Sequence, residues 1–203
     1  MSLTDADFAR AAKELGCEEA AIRAVAEVES AGKGFLPCGI PVMLFEAHVF
    51  SKETGGRFDK SHPQISSPKW NRQLYATGKD WIERGRKEAQ RLELASSLDR
   101  TAALKSASYG RFQIMGFNYN LCGHKTLQSF INAMWRNEGS QLDAFVAFIK
   151  TRQLDKYLRS RNWDAFAAAY NGRDYKVNRY DTKLEDAYRG ACLLRITVSK
   201  FFP

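Results

Sequence analysis

The alternation of polar and apolar residues near the N-terminus predicts two consecutive helices. Thr4 is followed by Asp5 and Asp7, and a capping hydroxyl with acidic neighbours suits the positive end of a helix dipole. We expect the first helix to end at Gly16, because glycine readily adopts the left-handed backbone that closes a helix. A second helical pattern covers 18–30 and is followed by further glycines.

The middle of the chain has a different composition, which predicts a small β element. From residue 35 to residue 69, Gly, Pro and Ser recur around the apolar run Val42–Phe50. This pattern indicates a short strand or hairpin flanked by loops, although a helix could include part of Met43–Phe50. Helical periodicity then returns over 79–94, 99–105, 127–149 (with a break at Gly139 left open), 163–170 and 181–194.

Together these elements predict a mainly α fold with a small β-hairpin or sheet inserted after the second helix. A length of 203 residues, of which 44% are hydrophobic and 27% charged, is ordinary for a globular protein with one core. No internal repeat or low-complexity linker divides the chain. We therefore expect residues 1–203 to form a single domain.

The chain is basic, with 31 Lys and Arg against 23 Asp and Glu and a formal net charge of +8. Such a balance attracts polyanions, which include nucleic acids, anionic membranes and the bacterial wall. Nucleic acid is not the expected partner, because the basic residues form no clustered runs and no base-reading motif is present. Stable membrane insertion is not expected either, because no apolar stretch approaches the roughly 18–20 residues of a spanning helix.

Cysteines and histidines are scattered along the chain, so we expect neither a metal site nor another cofactor. The thiols are expected to be reduced and mostly buried. The N-terminal segment has acidic residues where a signal peptide would have basic ones, so we expect synthesis in the cytoplasm without a signal. The cysteines and histidines are Cys17, Cys38, Cys122, Cys192, His48, His62 and His124.

A single acidic residue lies on the apolar face of the second predicted helix. On a helical wheel, Glu29 falls within the arc that is defined by the apolar residues Ala21, Ile22, Val25 and Val28. Burial and the negative end of the helix dipole both favour the protonated form, so the pKa of Glu29 should rise towards that of a general acid. The alternative is that Glu29 turns outward at the frayed helix end and forms a surface salt bridge.

Two later segments carry polar groups in tight backbone surroundings. In Ser108–Gly116, Gln113 stands between two hydrophobic residues. Its amide could bind a sugar acetamido or hydroxyl group, or be satisfied by the backbone. Ala167–Gly172 is the end of an alanine-rich helix that closes with an Asn-Gly turn. The hydroxyl of Tyr170 could point into a cleft there or belong to the core.

The order of these segments resembles the signature of soluble lytic transglycosylases and goose-type lysozymes. The resemblance to the N-acetylmuramidase family of phage endolysins is closer and covers most of 21–188. It implies a lysozyme-like fold and cleavage of the β-1,4 bond from N-acetylmuramic acid to N-acetylglucosamine in peptidoglycan strands during host lysis. The matching segments are Val28–Phe35, Leu44–His48, Ser108–Tyr119 and Tyr170–Gly172.

The same resemblance suggests two catalytic carboxylates. Glu29 aligns with the catalytic acid of the family, and Glu46 matches a second acidic position. Glu46 would activate water if it stands on the opposite face of the sugar, or it would form a buried pair with His48 or an arginine. Asp59, in a glycine-rich loop, competes for the same role. Four residues are expected to line the sugar site, namely Tyr109, Gln113 to orient the substrate, Tyr170 to hydrogen-bond near Glu29, and Asn171.

Two alternatives to a hydrolase stay open at this stage. A lytic transglycosylase breaks the same bond but yields anhydromuramic products, and a non-catalytic wall-binding virion protein could keep the fold. The resemblance also implies a holin that exports the enzyme to the periplasm and wall, and we expect a monomer. Family members often carry a separate wall-binding domain, and none is apparent. The basic, apolar segment 189–203 could be a packed terminal helix or a membrane-destabilising tail.

Overall fold

The computed structural model describes residues 2–30 and 33–201 and shows a mainly helical protein. Short 3-10 helices cover Arg72–Leu74, Gly116–Asn118 and Arg173–Lys176. Within the described residues, none of the helices combines the length and apolar character that crossing a membrane requires. The α-helices and strands are α1 Asp5–Leu15, α2 Glu19–Ser30, β1 Met43–Phe45, α3 Ala47–Glu53, α4 Trp81–Leu98, α5 Arg100–Lys105, β2 Ala107–Tyr109, β3 Ile114–Met115, α6 Leu127–Arg136, α7 Glu138–Thr151, α8 Asp155–Ser160, α9 Trp163–Asn171 and α10 Tyr180–Phe201.

Helix α1 begins and ends where the sequence predicts. The side chain of Thr4 accepts a hydrogen bond from the Asp7 amide, and the Asp7 carboxylate accepts one from the Thr4 amide. This reciprocal pair satisfies two backbone donors that the helix itself leaves open. Gly16 closes the helix with φ at 65°. The predicted capping of α1 is confirmed.

The second helix is the central element against which the termini of the chain pack. Its apolar face is fully buried at Ala21, Ile22 and Val25. Helix α1 packs on one side of α2, and α10 runs along another. Helix α10 extends to Phe201, so the terminal segment 189–203 begins as a continuation of this helix. The side chains after Leu193 lie outside the described part of the structure.

The three strands form one antiparallel sheet in the order β1-β2-β3. Met43 of β1 pairs with Tyr109 of β2, and β2 and β3 form a hairpin. The predicted β element is therefore present, and of the alternatives left open within Val42–Phe50 the structure shows a short strand followed by a helix rather than a hairpin. Only the start of that run is a strand, and its remainder is α3. The partner strand lies more than sixty residues away, which no local pattern can reveal.

Other helix boundaries differ from the predictions in small ways. The break in the long helical region falls at Asn137, whose side chain caps α7 by accepting from the Ser140 amide at 2.8 Å. Gly139 lies one residue inside α7. Helix α8 was not predicted, because its six residues are too few to show a clear periodicity.

A buried polar cluster joins the loop after α2 to the β2-β3 hairpin. The Glu138 carboxylate accepts from the Gly34 amide and from the Arg111 guanidinium, both at 2.7 Å. The Gln141 side-chain oxygen accepts from the Arg111 amide at 2.8 Å. Because Glu138 and Gln141 are both buried, these charge-assisted bonds act in a poorly screened environment. They fix the loop and the hairpin on the first turn of α7.

Gly116 packs closely against the backbone of α5, and this contact can be tested by substitution. A Cβ atom there would lie 2.0 Å from the carbonyl oxygen of Leu104, so we expect Gly116→Ala to lower the free energy of unfolding by about 1–3 kcal/mol or more. Gly190 is an exposed position within α10 and has open space around it. Gly190→Ala should therefore raise stability slightly. Chemical denaturation measures both variants, and equal effects would contradict the packing at Gly116.

Candidate active site

Glu29 lies in the last turn of α2, beside the end of α9. Its carboxylate oxygen Oε1 accepts a hydrogen bond from the Asn171 side-chain amide at 2.8 Å. The residue is half-buried rather than turned into bulk solvent. The alternative of a surface salt bridge at a frayed helix end is therefore not what the structure shows. Two segments that are 142 residues apart in sequence meet at this carboxylate.

Burial controls the protonation of this carboxyl group. Removal from water raises the pKa of Glu29 from its ordinary value of 4.5 to about 7, because a charged carboxylate is poorly solvated there. The hydrogen bond from Asn171 and the positive charge of Lys183 act in the opposite direction. The pKa of Tyr180 is raised by burial and by the charge of Glu29. A carboxyl group with this pKa carries its proton for a large part of the time at neutral pH.

Tyr170 joins α9 to the hairpin turn. Its hydroxyl donates to the backbone carbonyl of Phe112 at 2.7 Å, and its ring stacks on Phe166. Burial raises the pKa of Tyr170 well above its ordinary value, and the charge of Glu29 adds to this effect. Tyr170 is thus close to Glu29, as expected, but its hydroxyl bonds to the hairpin. The hydrogen bond to Glu29 comes from the next residue in the chain.

Gln113 and Tyr109 are held by the protein itself. The Gln113 amide accepts from the Ser108 hydroxyl at 2.9 Å and donates to the Gly110 carbonyl at 2.8 Å. Tyr109 is 1% exposed, and its hydroxyl donates to the Leu104 carbonyl. The expectation that Tyr109 lines a sugar site is corrected here. Strand β2 is central in the sheet and all three of its residues are buried, so its tyrosine is part of the core.

Glu46 follows β1 and precedes α3, in a cluster of its own. The Tyr75 hydroxyl donates to Glu46 Oε2 at 2.5 Å, and His48 Nδ1 lies 3.3 Å from the same oxygen. Burial raises the pKa of Glu46, while Tyr75 and His48 work against that rise. The pairing with His48, which the sequence left open, is therefore present.

Glu29 and Glu46 stand in separate environments. At one end of the β1 segment, the Gly110 amide donates to the Val42 carbonyl next to the hairpin turn. At the other end, the Glu46 amide donates to the Ser106 carbonyl. With a rise of about 3.3 Å per residue, these ends are roughly 13 Å apart. The groups that shift the pKa of Glu46 also differ from those that act on Glu29. The two carboxylates are not a hydrogen-bonded pair.

Comparison with known proteins identifies the family. The family model described as N-acetylmuramidase matches residues 18–191, which include both carboxylates. The chain belongs to the N-acetylmuramidase family. It is similar to the crystal structure of the Burkholderia AP3 phage endolysin, with a TM-score of 0.81 and 39% identity over 96% of this chain and 72% of that one. No functionally curated protein matches the sequence.

The muramidase is thus a glycoside hydrolase of the phage endolysin type that acts on peptidoglycan. Its fold is mostly helical with a small sheet, like that of the endolysin, and the predicted lysozyme-like fold class is confirmed. The predicted family is confirmed as well. A transglycosylase or a non-catalytic wall protein is not favoured by these findings.

Tyr75 and Lys183 were not among the predicted site residues of this muramidase. Tyr75 comes from the irregular region before α4 and Lys183 from the exposed side of α10. Both reach their carboxylates through tertiary contacts, so no spacing in the sequence indicates them. Asp59, the competing acid, instead accepts hydrogen bonds from the hydroxyls of Ser51 and Ser66. These two hydrogen bonds hold the loop after α3 in place.

The remaining reactive side chains of the muramidase are dispersed. Within the part of the chain that the structure describes, no three His, Cys, Asp or Glu residues come together as metal ligands would. The four cysteines are free thiols. Cys122 is buried and Cys38 is exposed, so the expectation of mostly buried thiols fails at Cys38.

The raised pKa of Glu29 predicts a pH-dependent loss of stability that Glu29→Gln should remove. Between the ordinary pKa of 4.5 and the folded value of about 7, the folded state binds more protons than the unfolded state. The free energy of unfolding therefore falls as the pH rises through this window. At about 1.4 kcal/mol per pKa unit, the upper limit is on the order of 3 kcal/mol.

Chemical denaturation at pH 4 and pH 8 measures this effect. We expect Glu29→Gln to be more stable than the wild type at pH 8 and close to it at pH 4. The exposed residue Glu93 supplies a control, since Glu93→Gln should leave both values nearly unchanged. Equal stability of the wild type and Glu29→Gln at pH 8 would show that the carboxyl group is not destabilised by burial.

Proposed function

We propose that Glu29 donates the proton to the glycosidic oxygen when this muramidase cleaves the bond between N-acetylmuramic acid and N-acetylglucosamine. The observation that carries the proposal is the half-buried carboxyl group with a pKa of about 7, held by Asn171 at 2.8 Å. A general acid is most effective when its pKa lies near the working pH. Burial at the end of α2 supplies that condition.

Asn171 supports the proposal by selecting which oxygen carries the proton. Its amide nitrogen donates to Glu29 Oε1, so that oxygen acts as the acceptor and the proton is placed on Oε2. Asn171 Oδ1 is buried and has no hydrogen-bond partner among the described residues. Buried polar atoms are almost always paired. We therefore assign Asn171 a positioning role, in which its side chain holds the Glu29 carboxyl group for the substrate.

Glu46 is the second carboxylate of the proposal. In an inverting hydrolase, an ionised carboxylate activates the water that attacks the sugar. Burial raises the pKa of Glu46, while the hydrogen bond from Tyr75 and the neighbouring His48 act in the opposite direction, towards the ionised form that this role requires. Glu29 and Glu46 have different hydrogen-bond partners, Asn171 and Tyr75, which suits separate roles as acid and base. Gln113 and Tyr170 take a positioning role, since their polar groups bond to the hairpin.

The remaining parts of the proposal concern the domain organisation, the oligomeric state and the cellular location of the enzyme. Residues 1–203 act as one catalytic domain, since a single core cluster includes residues from Phe8 to Tyr188. The protein works as a monomer that is made in the host cytoplasm and reaches the wall with the help of a holin. The net charge of +8 supports attraction to the anionic wall once it arrives there.

Digestion of purified peptidoglycan, with mass spectrometry of the products, tests this mechanism. The wild type should release fragments with reducing ends, and anhydromuramic ends would indicate a transglycosylase instead. Glu29→Gln and Glu46→Gln should each lower the rate by about 100-fold or more, the usual contribution of an acid or base. Glu93→Gln is the matched control and should retain full activity. Full activity of Glu29→Gln would refute the assignment of the acid.

A further inference from the structure

A buried carboxylate on α4 bonds to the backbone on both sides of the Glu46 cluster. Glu88 is 3% exposed. Its Oε2 atom accepts a hydrogen bond from the Phe45 amide at 3.0 Å, and its Oε1 atom accepts one from the Ala76 amide at 2.7 Å. Phe45 directly precedes Glu46 in the chain. Ala76 directly follows Tyr75, whose hydroxyl donates to Glu46. One side chain therefore fixes the backbone next to both members of this hydrogen bond.

The segment that carries Tyr75 lies outside the core. The structure describes all of residues 67–79, and none of them is buried. Lys87 of α4 donates to the Thr77 carbonyl at 2.7 Å, but this bond is exposed to water. The bond that the Ala76 amide makes with α4 is partly shielded and lies one residue from Tyr75. Because hydrogen bonds are stronger where water is excluded, the Ala76 bond is the contact best placed to fix the tyrosine.

The charge of Glu88 is compensated by Arg91 on the same helix. The Arg91 guanidinium donates to Glu88 Oε2 at 2.7 Å and to the Phe45 carbonyl at 3.1 Å. Little of either charged side chain is exposed. Hydrogen bonds between ionised groups are shorter and stronger than neutral ones. Glu88 is therefore held firmly on α4 and can serve as an anchor for the segments that it binds.

The charge of Glu88 does not help Glu46 to ionise. Burial is the largest influence that raises the pKa of Glu46, and the neighbouring charge of Glu88 raises this pKa further. A carboxylate at this position thus works against the ionised form that a base requires. What Glu88 supplies is geometry, because its two oxygens accept from two backbone amides at once. A glutamine could accept at only one of these positions, since its side-chain nitrogen is a donor.

We propose that Glu88 is a positioning residue of the muramidase, which holds the Glu46 carboxylate and the Tyr75 hydroxyl in hydrogen-bonding geometry. This inference rests on the proposed function, in which Glu46 is the second carboxylate. Glu88 acts through the backbone of Phe45 and Ala76. Loss of the anchor moves Glu46 and Tyr75 relative to each other, and a displacement of about 1 Å can lower a rate by roughly 100-fold.

A pH titration of Glu46 by carbon NMR tests the positioning without measuring activity. The Glu46 signal is assigned by its absence from Glu46→Gln. In otherwise wild-type protein, Tyr75→Phe should raise the Glu46 midpoint, because a hydrogen bond that favours the charged form is lost. In a Glu88→Gln background, the same substitution should raise the midpoint by less than half as much, because that bond is already weakened. A rise of equal size in both backgrounds, or no rise in the first, would overturn the proposal.

Rates on purified peptidoglycan test the consequence for catalysis. Glu88→Gln should lower kcat about tenfold or more, with little change in KM. Adding Tyr75→Phe should cause little further loss, since both residues act on one carboxylate and their effects are not independent. Glu93→Gln removes the same charge from the exposed side of α4 and is the matched control, which should retain full activity. Full activity of Glu88→Gln, or losses that multiply in the double variant, would contradict the assignment.

Ala76→Pro keeps the test decisive if Glu88→Gln fails to fold. It removes one donor to Glu88 and leaves the buried charges in place. Tyr75 has φ at −79° and ψ at 147°, the extended backbone that a following proline requires. In this background, too, we expect Tyr75→Phe to have a reduced effect on the Glu46 midpoint, and an undiminished effect would overturn the proposal. Full activity of Glu46→Gln would refute the proposed base alone, because the titration decides separately whether Glu88 positions the pair.

Discussion

Burial of one carboxyl group at the end of α2 is the constraint on which the site depends. Glu29 is removed from water where α10 packs along α2 and the end of α9 meets the last turn of α2. The free energy that favours its protonated form comes from this desolvation, which outweighs the opposing effects of Asn171 and Lys183. The helices therefore do more than support the site, because their close packing raises the pKa of this carboxyl group.

Hydrogen bonds elsewhere in the fold fix the positions of the segments around this carboxyl group. Tyr170 joins α9 to the hairpin turn through the Phe112 carbonyl. Glu138 and Gln141 bind the loop after α2 and the same hairpin to α7. These bonds link segments that are far apart in sequence, and each is at least partly shielded from water. A site built in this way is positioned before the substrate arrives, as the proposed general acid catalysis requires.

Local signals in the sequence predicted local structure well. The caps of α1 and the apolar face of α2 follow from residue type and spacing, and the position of Glu29 on that face pointed to its burial. The sheet was only partly predictable, because β1 pairs with a strand from a remote segment. Tyr109 was misplaced for the same reason, since its burial depends on strands on both sides. Tyr75 reaches Glu46 through a loop without regular periodicity, so only the tertiary structure reveals it.

The most direct test is a pH titration of the Glu29 side chain by carbon NMR, with its carboxyl signal assigned by its absence from Glu29→Gln. We expect a midpoint near 7. In Asn171→Ala the midpoint should rise further, because a hydrogen bond that favours the charged form is lost. A midpoint near the ordinary value of 4.5, unchanged by Asn171→Ala, would contradict the central claim that burial keeps this acid protonated.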